Sequence, residues 1–267
     1  VDLHRVLPEL RQPMKRAQVS APRWLVRTAV RLMPVPKSDA VRVTKARTGR
    51  VRLRVYIPGG ERSGVGLLWV HGGGLLFGDA KQDESLCLST AERLGIVIVS
   101  ANYRFAPEHP FPAAHEDVLA AWDWFLEHAE ELGVDPDRIV VGGESAGAGL
   151  AAALAHRIHD DEANREGWAG YLGTAPGEET VPPHAVPARR TDLGGLPPTF
   201  ITWGDIELFA DEDRAYAEAL RLAGVPVTTD VVKGAPHGFE NWAKDTPTAR
   251  ALLGRAQEWL RSTTRRR

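Results

Sequence analysis

Ile139-Val140-Val141-Gly142-Gly143-Glu144-Ser145-Ala146-Gly147 is the stretch on which the reading of the fold turns. An apolar, β-branched run passes into Gly-x-Ser-x-Gly and then into small residues, the order of strand, sharp turn and helix in which that pattern marks a nucleophile. Glycines suit such a turn because the backbone is strained and the helix and strand approach closely, leaving the Ser145 hydroxyl exposed at a helix N-terminus. By itself the pattern is weak, since this composition would produce it by chance in roughly one such chain in ten. Its weight depends on what surrounds it.

Outward from that strand, the runs Val65–Val70 and Ile96–Ser100 are also short and almost wholly apolar, as strands covered on both faces must be. Upstream the period is two. Val41 and Val43, a turn at Thr48-Gly49-Arg50, and Val51, Leu53, Val55 and Ile57 predict a hairpin at a sheet edge. Ala113–Leu132 carries Val118, Leu119, Trp122, Phe125, Leu126 and Ala129 on one helical stripe and stops at Gly133, and Asp211–Ala223 stops at Gly224. Thr199–Trp203 and Val227–Val232 predict two more strands, and Pro247 opens a last helix behind Thr246. Strands alternating with helices predict a doubly wound, mostly parallel α/β sheet.

The two ends of the chain and one internal segment stand apart. Residues 1–35 are rich in Arg and Pro, and Pro22–Met33 reads as an amphipathic helix with Trp24, Leu25, Ala29 and Leu32 on one face and Arg23, Arg27 and Arg31 on another. Its apolar face is expected to pack on its own domain. Arg265–Arg267 read as a solvated tail. From Asp160 to Pro198 no run could serve as the return strand a parallel sheet needs after the Ser145 helix, only a short helix at Glu162–Leu172 and a Pro/Gly-rich loop. A connection of that length in a compact domain suggests a lid.

Composition narrows the function. The 267 residues include 33 basic and 35 acidic ones, a formal charge of −2, which gives no general attraction to nucleic acid. Cys87 is the single cysteine, so internal disulfides and multi-thiolate metal sites are excluded, and it reads as a small buried residue. No apolar run reaches the roughly 18 residues of a membrane span. The expectation is a cytoplasmic protein without stable membrane insertion, a monomer or homodimer, with no cofactor and no metal. His156 and His159, three apart beside Asp160 and Asp161, read as a solvated helix end, and His109 and His115 as structural.

A second motif, His71-Gly72-Gly73-Gly74, follows the strand Val65–Val70 and would arise by chance in roughly one such chain in a hundred. Acyl transfer places negative charge on the former carbonyl oxygen, and glycines let backbone N–H groups come close enough to stabilise it. The donors predicted are Gly73 and Gly74, with Gly72 as a further candidate, and Ala146 beyond the nucleophile. His71 reads as an organiser of that loop. The base is His237, in Gly234-Ala235-Pro236-His237-Gly238-Phe239 after the strand Val227–Val232. The acid belongs after Thr199–Trp203, where Asp211, Glu212 and Asp213 open a helix whose dipole explains them, leaving Asp205 and Glu207.

Together with Asn102-Tyr103-Arg104-Phe105-Ala106-Pro107-Glu108-His109-Pro110-Phe111-Pro112-Ala113 and Leu196-Pro197-Pro198, these motifs resemble the hormone-sensitive-lipase-like family of α/β-hydrolase esterases. The resemblance covers most of Val65–Phe239. It implies the acid at Glu207, with Phe209 and Asp211 completing the family's pattern, and hence a triad of Ser145, His237 and Glu207. It further implies a catalytic domain over 39–267 and a cap from residues 1–38 with about 163–190. The activity implied is hydrolysis of short- to medium-chain acyl esters through an acyl-enzyme. A non-catalytic small-molecule-binding protein on the same fold, or an amide or thioester hydrolase with the same triad, is the alternative. In this family a sheet strand precedes a stretch resembling Arg165–Gly173, yet Ser145 and Glu207 are only 62 positions apart. One central strand, expected between Asp160 and Trp168, is therefore missing from the sequence.

Overall fold

The computed structural model describes residues 4–17, 21–163 and 190–264. Helices α1 (Pro8–Ala17) and α2 (Arg23–Leu32) precede a hairpin of β1 (Val41–Thr48) and β2 (Val51–Pro58). β3 (Gly66–Val70), α3 (Glu84–Leu94), β4 (Val97–Asn102), α4 (Ala113–Glu127), the short α5 (Ala129–Leu132), β5 (Ile139–Gly143) and α6 (Ala146–Ala163) follow. The chain closes with β6 (Thr199–Gly204), α7 (Ala210–Leu222), β7 (Val227–Val232), the single turn α8 (Phe239–Trp242) and α9 (Pro247–Thr264). These elements form two compact units, Ala21–Pro187 and Val1–Ser20 with Ala188–Arg267.

The first unit is a five-stranded sheet in the order β1-β2-β4-β3-β5. The hairpin closes at Thr48 opposite Val51, and β2 runs antiparallel to β4, while β3 lies parallel to both β4 and β5. Leu68 stands opposite Val99 and Val141, and Leu68 and Val99 are wholly buried, as near-continuous apolar strands require. α4 buries Val118, Ala121 and Phe125 at helical spacing. Phe125 sits where a Cβ on Gly66 would lie 2.7 Å from its ring, so β3 begins with a glycine to admit the helix. One charged cluster ties β2 to α3: Arg54 Nε donates to Glu84 Oε2 at 2.6 Å, and the Tyr56 hydroxyl donates to the same carboxylate at 2.7 Å.

In the second unit β6 and β7 pair in parallel, Thr199 opposite Val227, and α7 covers them with Ala217 and Leu220. α1 is an element the Arg/Pro-rich N-terminus did not suggest. Its Leu10 and Met14, with Val6 before it, pack against Val232, Ala235, Phe239 and Leu252. Thr246 caps α9, its hydroxyl accepting from the Ala249 N–H at 3.4 Å, and Glu9 accepts from the Thr248 N–H at 3.0 Å.

Three expectations change. Among the described residues the apolar face of α2 finds no packing partner: Trp24 is 68% exposed, Leu32 77%, and no residue of the helix is buried. It is held instead by its basic face, because the Arg27 guanidinium finds the carbonyls of Leu76 and Ala106 and the carboxylate of Glu108. His156 is not at a solvated helix end; α6 continues to Ala163 and His156 is buried on it. The long helix at Ala113–Leu132 breaks at His128, whose backbone N–H donates to the Trp124 carbonyl at the end of α4 and which stands as the N-cap of α5. Among the described residues no strand pairs with the outer edge of β5 or of β6. The stretch between Asp160 and Trp168 and the helix at Glu162–Leu172, each from residue 164 onward, the cap residues 164–189 and Arg265–Arg267 lie outside the described residues.

Candidate active site

The candidate nucleophile, Ser145, is placed by β3 and β5. Ser145 has φ +52° in the turn from β5 into α6, the left-handed conformation that a non-glycine residue adopts only where its surroundings dictate it. Gly143 and Gly147 dictate it here. A Cβ on Gly143 would lie 2.7 Å from the Val70 carbonyl oxygen, and one on Gly147 only 2.1 Å from the same atom and 2.5 Å from that of His71. The turn can therefore sit on the end of β3 only with both glycines present. Ala146, the first residue of α6, places its amide among the unpaired donors of the helix N-terminus.

His71 through Gly74 run beside that turn. A Cβ on Gly72 would stand 3.4 Å from that of Ser145, and Gly73 and Gly74 have φ of +118° and +61°. Gly73 is further constrained by the Phe77 carbonyl, which accepts no substituent at that position. His71 is fully buried, its Nδ1 2.8 Å from the Gly72 carbonyl and its ring stacked on Tyr103 at 4.4 Å. The Tyr103 hydroxyl donates to the His71 carbonyl at 3.0 Å. Burial pushes the His71 imidazole down to about 4, so it is neutral at physiological pH and acts through shape and hydrogen bonds.

The candidate acid and base lie together in the second unit, on the loops after β6 and β7. His237 Nδ1 is 2.7 Å from Glu207 Oε2, and the Glu207 side chain is 5% exposed against 39% for His237. Asp205 does something else: its Oδ1 accepts the Gly234 N–H at 2.6 Å, holding the loop that carries His237. Phe209 meets the His237 ring edge to face at 5.3 Å. The hydrogen bond to Glu207 raises the His237 pKa above its ordinary value, against the opposing effect of burial.

Asp213 belongs to this cluster, although the helix dipole alone had accounted for it in the sequence. It lies on the first turn of α7, where burial together with the neighbouring Glu207 pushes its carboxyl pKa up to about 7. Glu240, at the start of α8, is raised above the ordinary carboxylate range, chiefly by burial. The signal available in the sequence was spacing, since Asp213 falls on the turn of helix that begins immediately behind Glu207. Among the described residues no group of three or more His, Cys, Asp or Glu is arranged to hold a metal ion. No helix among them is long and apolar enough to cross a membrane.

A family model described as the alpha/beta hydrolase fold matches residues 67–181 and 162–241. Esterase LipI of Mycobacterium tuberculosis is 30% identical over 250 residues, covering 80% of this chain and 78% of that protein. The chain belongs to the hormone-sensitive-lipase-like esterases of that fold. A second member of this esterase family, Carboxylesterase NlhH of the same organism, is 31% identical over 242 residues, covering 77% and 76% of the two chains. Among solved structures, one titled Bacterial Heroin Esterase superposes with a TM-score of 0.86 at 28% identity over the whole of both chains. The chain is accordingly an enzyme whose reaction class is carboxylic ester hydrolysis.

Proposed function

We propose that this esterase acts on short- to medium-chain acyl esters through Ser145, His237 and Glu207. The observation that carries the reading is the His237–Glu207 contact of 2.7 Å, because it fixes the tautomer. With Nδ1–H donated to Glu207, the Nε2 lone pair is left to take the proton of the Ser145 hydroxyl. Ser145 then attacks the ester carbonyl, and the oxygen gains negative charge in the tetrahedral intermediate. The N–H groups of Gly73, Gly74 and Ala146, with Gly72 as a further candidate, stabilise that charge. His237 returns the proton to the leaving alcohol. Water, activated by the same imidazole, then releases the acyl group from Ser145.

Residues 1–38 and about 163–190 are proposed to cap the acyl pocket, so the chain-length preference resides in them. No cofactor enters this scheme, and the working unit is a monomer or homodimer in the cytoplasm. The test is steady-state hydrolysis of p-nitrophenyl esters from acetate to palmitate by the wild type and Ser145→Ala. Expected are a maximum at butyrate to hexanoate and a loss of about 10⁴-fold or more in the variant. Full turnover by Ser145→Ala would overturn the nucleophile assignment, and a maximum at palmitate would overturn the chain-length assignment.

A further inference from the structure

We infer that the end of the sheet carrying Ser145 bears a reversible docking surface for an anionic lipid bilayer, made by the cationic hairpin of β1 and β2 and the exposed apolar face of α2. The inference goes beyond the proposed triad and does not depend on it.

Charge along this chain is segregated. Between Ala21 and Arg62 stand eleven basic residues and two acidic ones, Asp39 and Glu61, in a protein whose formal charge is −2. The hairpin concentrates them. Its register sets Lys45 directly opposite Arg54 and Arg47 directly opposite Arg52, and residues directly opposite share one face of a sheet. That face is the one on which α3 lies, because Arg54 reaches Glu84 of α3 in an ion pair. No ion pair among the described residues includes Lys45, Arg47, Arg52 or, in the turn, Arg50, and all four are exposed. Like charges placed directly opposite destabilise a hairpin. Charges on an edge strand guard it against strand addition, which accounts for Lys45 and Arg47 on β1 but not for Arg52, on a strand paired on both sides. A partner that carries many negative charges relieves the repulsion.

The sheet fixes where this patch lies. Arg52 pairs with Asn102, the last residue of β4, at the end where β3 runs on into His71–Gly74 and β5 into Ser145. α2 is fastened to the same end. Asn102 Oδ1 accepts the Ala80 N–H at 3.1 Å, and the next residue, Lys81, donates from Nζ to the carbonyls of Arg31 and Met33 on either side of Leu32. Trp24, Leu25, Leu32 and Met33 are exposed there, with Arg23 and Arg31 exposed among them, and no acidic residue occurs from Ala21 to Ser38. Cations alone would suit any polyanion. The apolar side chains beside them select a bilayer, where basic residues lie against headgroup phosphates while Trp and Leu enter the acyl boundary. Docking in this way turns the end of the sheet that holds Ser145 toward the lipid.

The experiment is cosedimentation of the full chain with vesicles of phosphatidylcholine alone and of phosphatidylcholine with about three parts in ten of phosphatidylglycerol. The proteins are the wild type, the triple variant Lys45→Gln/Arg47→Gln/Arg52→Gln, Leu32→Gln and Ser145→Ala, with a thermal melt on each. The wild type should bind the anionic vesicles, release them at high salt and leave the neutral ones unbound. One basic residue near an anionic surface changes partitioning about fivefold, so the triple variant should bind about 100-fold more weakly. It should melt no lower than the wild type and hydrolyse soluble p-nitrophenyl butyrate within about twofold of it. Leu32→Gln should weaken binding about tenfold. Ser145→Ala should bind as the wild type does, so that loss of turnover and loss of docking are read separately. Binding to neither vesicle, equal binding to both, or a triple variant that binds like the wild type would overturn the proposal. Duplex DNA bound as tightly as the anionic vesicles, with Leu32→Gln unimpaired on those vesicles, would overturn it in favour of a general polyanion site.

Discussion

The Asp205 carboxylate accepts the Gly234 N–H at 2.6 Å, while two residues later Glu207 meets His237 Nδ1 at 2.7 Å. One loop thus carries two acids with different duties, one fastening the backbone of the histidine loop and the other orienting the imidazole. The substitutions should separate them. Glu207→Gln replaces the charge that stabilises the imidazolium and should lower kcat by about 10³–10⁴-fold. Asp205→Asn still offers an oxygen to Gly234 and should cost less than about tenfold. Steady-state kinetics on both variants decides the ranking, and the reverse order would exchange the roles.

Two glycines five and seven residues into the Gly142–Gly149 stretch should respond in opposite directions to alanine. Gly147→Ala puts a methyl 2.1 Å from the Val70 carbonyl oxygen and 2.5 Å from that of His71, both backbone atoms at the end of a central strand. The turn must open, so expression as folded protein and turnover should both collapse. Gly149, on α6, has nothing within 4 Å of its would-be Cβ. Gly149→Ala should raise stability by about 0.5–1 kcal/mol through helix propensity. Urea unfolding of both variants tests the pair.

The same contrast shows what a sequence can carry. β3 and β4 were legible because a strand buried on both faces has no choice but to be apolar, and the elbow because a crowded turn leaves no choice but glycine. The residues that were misjudged are those whose role depends on a distant partner. Arg27 sits on a helix whose periodicity argues for burying Trp24 and Leu32, yet the carbonyls of Leu76 and Ala106, some 50 and 80 positions away, turn the basic face inward. Asp213 reads as a first-turn carboxylate until burial and the neighbouring Glu207 raise its pKa. α1 escaped notice because Pro8 and Pro13 mask a helix whose Leu10 and Met14 matter only once Phe239 and Leu252 are beside them. His156 escaped because its burial depends on what α6 packs against, which periodicity does not state.

His71 should make the fold sensitive to acid. Its folded pKa, about 4, lies below the value of about 6.5 expected of an unfolded histidine. Between those values the unfolded chain binds a proton that the folded one does not, so stability is fully present above about pH 6.5 and is lost as pH falls toward 4. The loss attributable to this one group is about 2 kcal/mol at pH 5 and about 3 kcal/mol in full. Urea unfolding at pH 7 and pH 5 should show His71→Asn to be less stable than the wild type at pH 7 but with a gap between the two pH values smaller by about 2 kcal/mol. An unchanged gap would mean that the buried imidazole already carries its proton.

Arg27 links α2 to the loop that carries the proposed oxyanion glycines. Its Nε donates to the Leu76 carbonyl at 2.8 Å, Nη2 to that of Ala106 at 3.2 Å, and both terminal nitrogens to Glu108 at 2.9 Å. The guanidinium also lies 5.3 Å from the Phe105 ring centroid, and Phe105 stands edge-on to Tyr103 and His71. Only a planar fork reaches two carbonyls and a carboxylate at once, so Arg27→Lys should rescue little of what Arg27→Ala removes. Losing the carbonyl contacts should cost about 1–1.5 kcal/mol, which appears as a fall of about tenfold in kcat/KM if the 72–77 loop relaxes with them. The Glu108 side chain is half-exposed, so its ion pair is screened by solvent and Glu108→Gln should change kcat/KM less than twofold. Equal rates for Arg27→Ala and the wild type would show that the loop holds its shape without α2, and that His71 and Tyr103 alone set it.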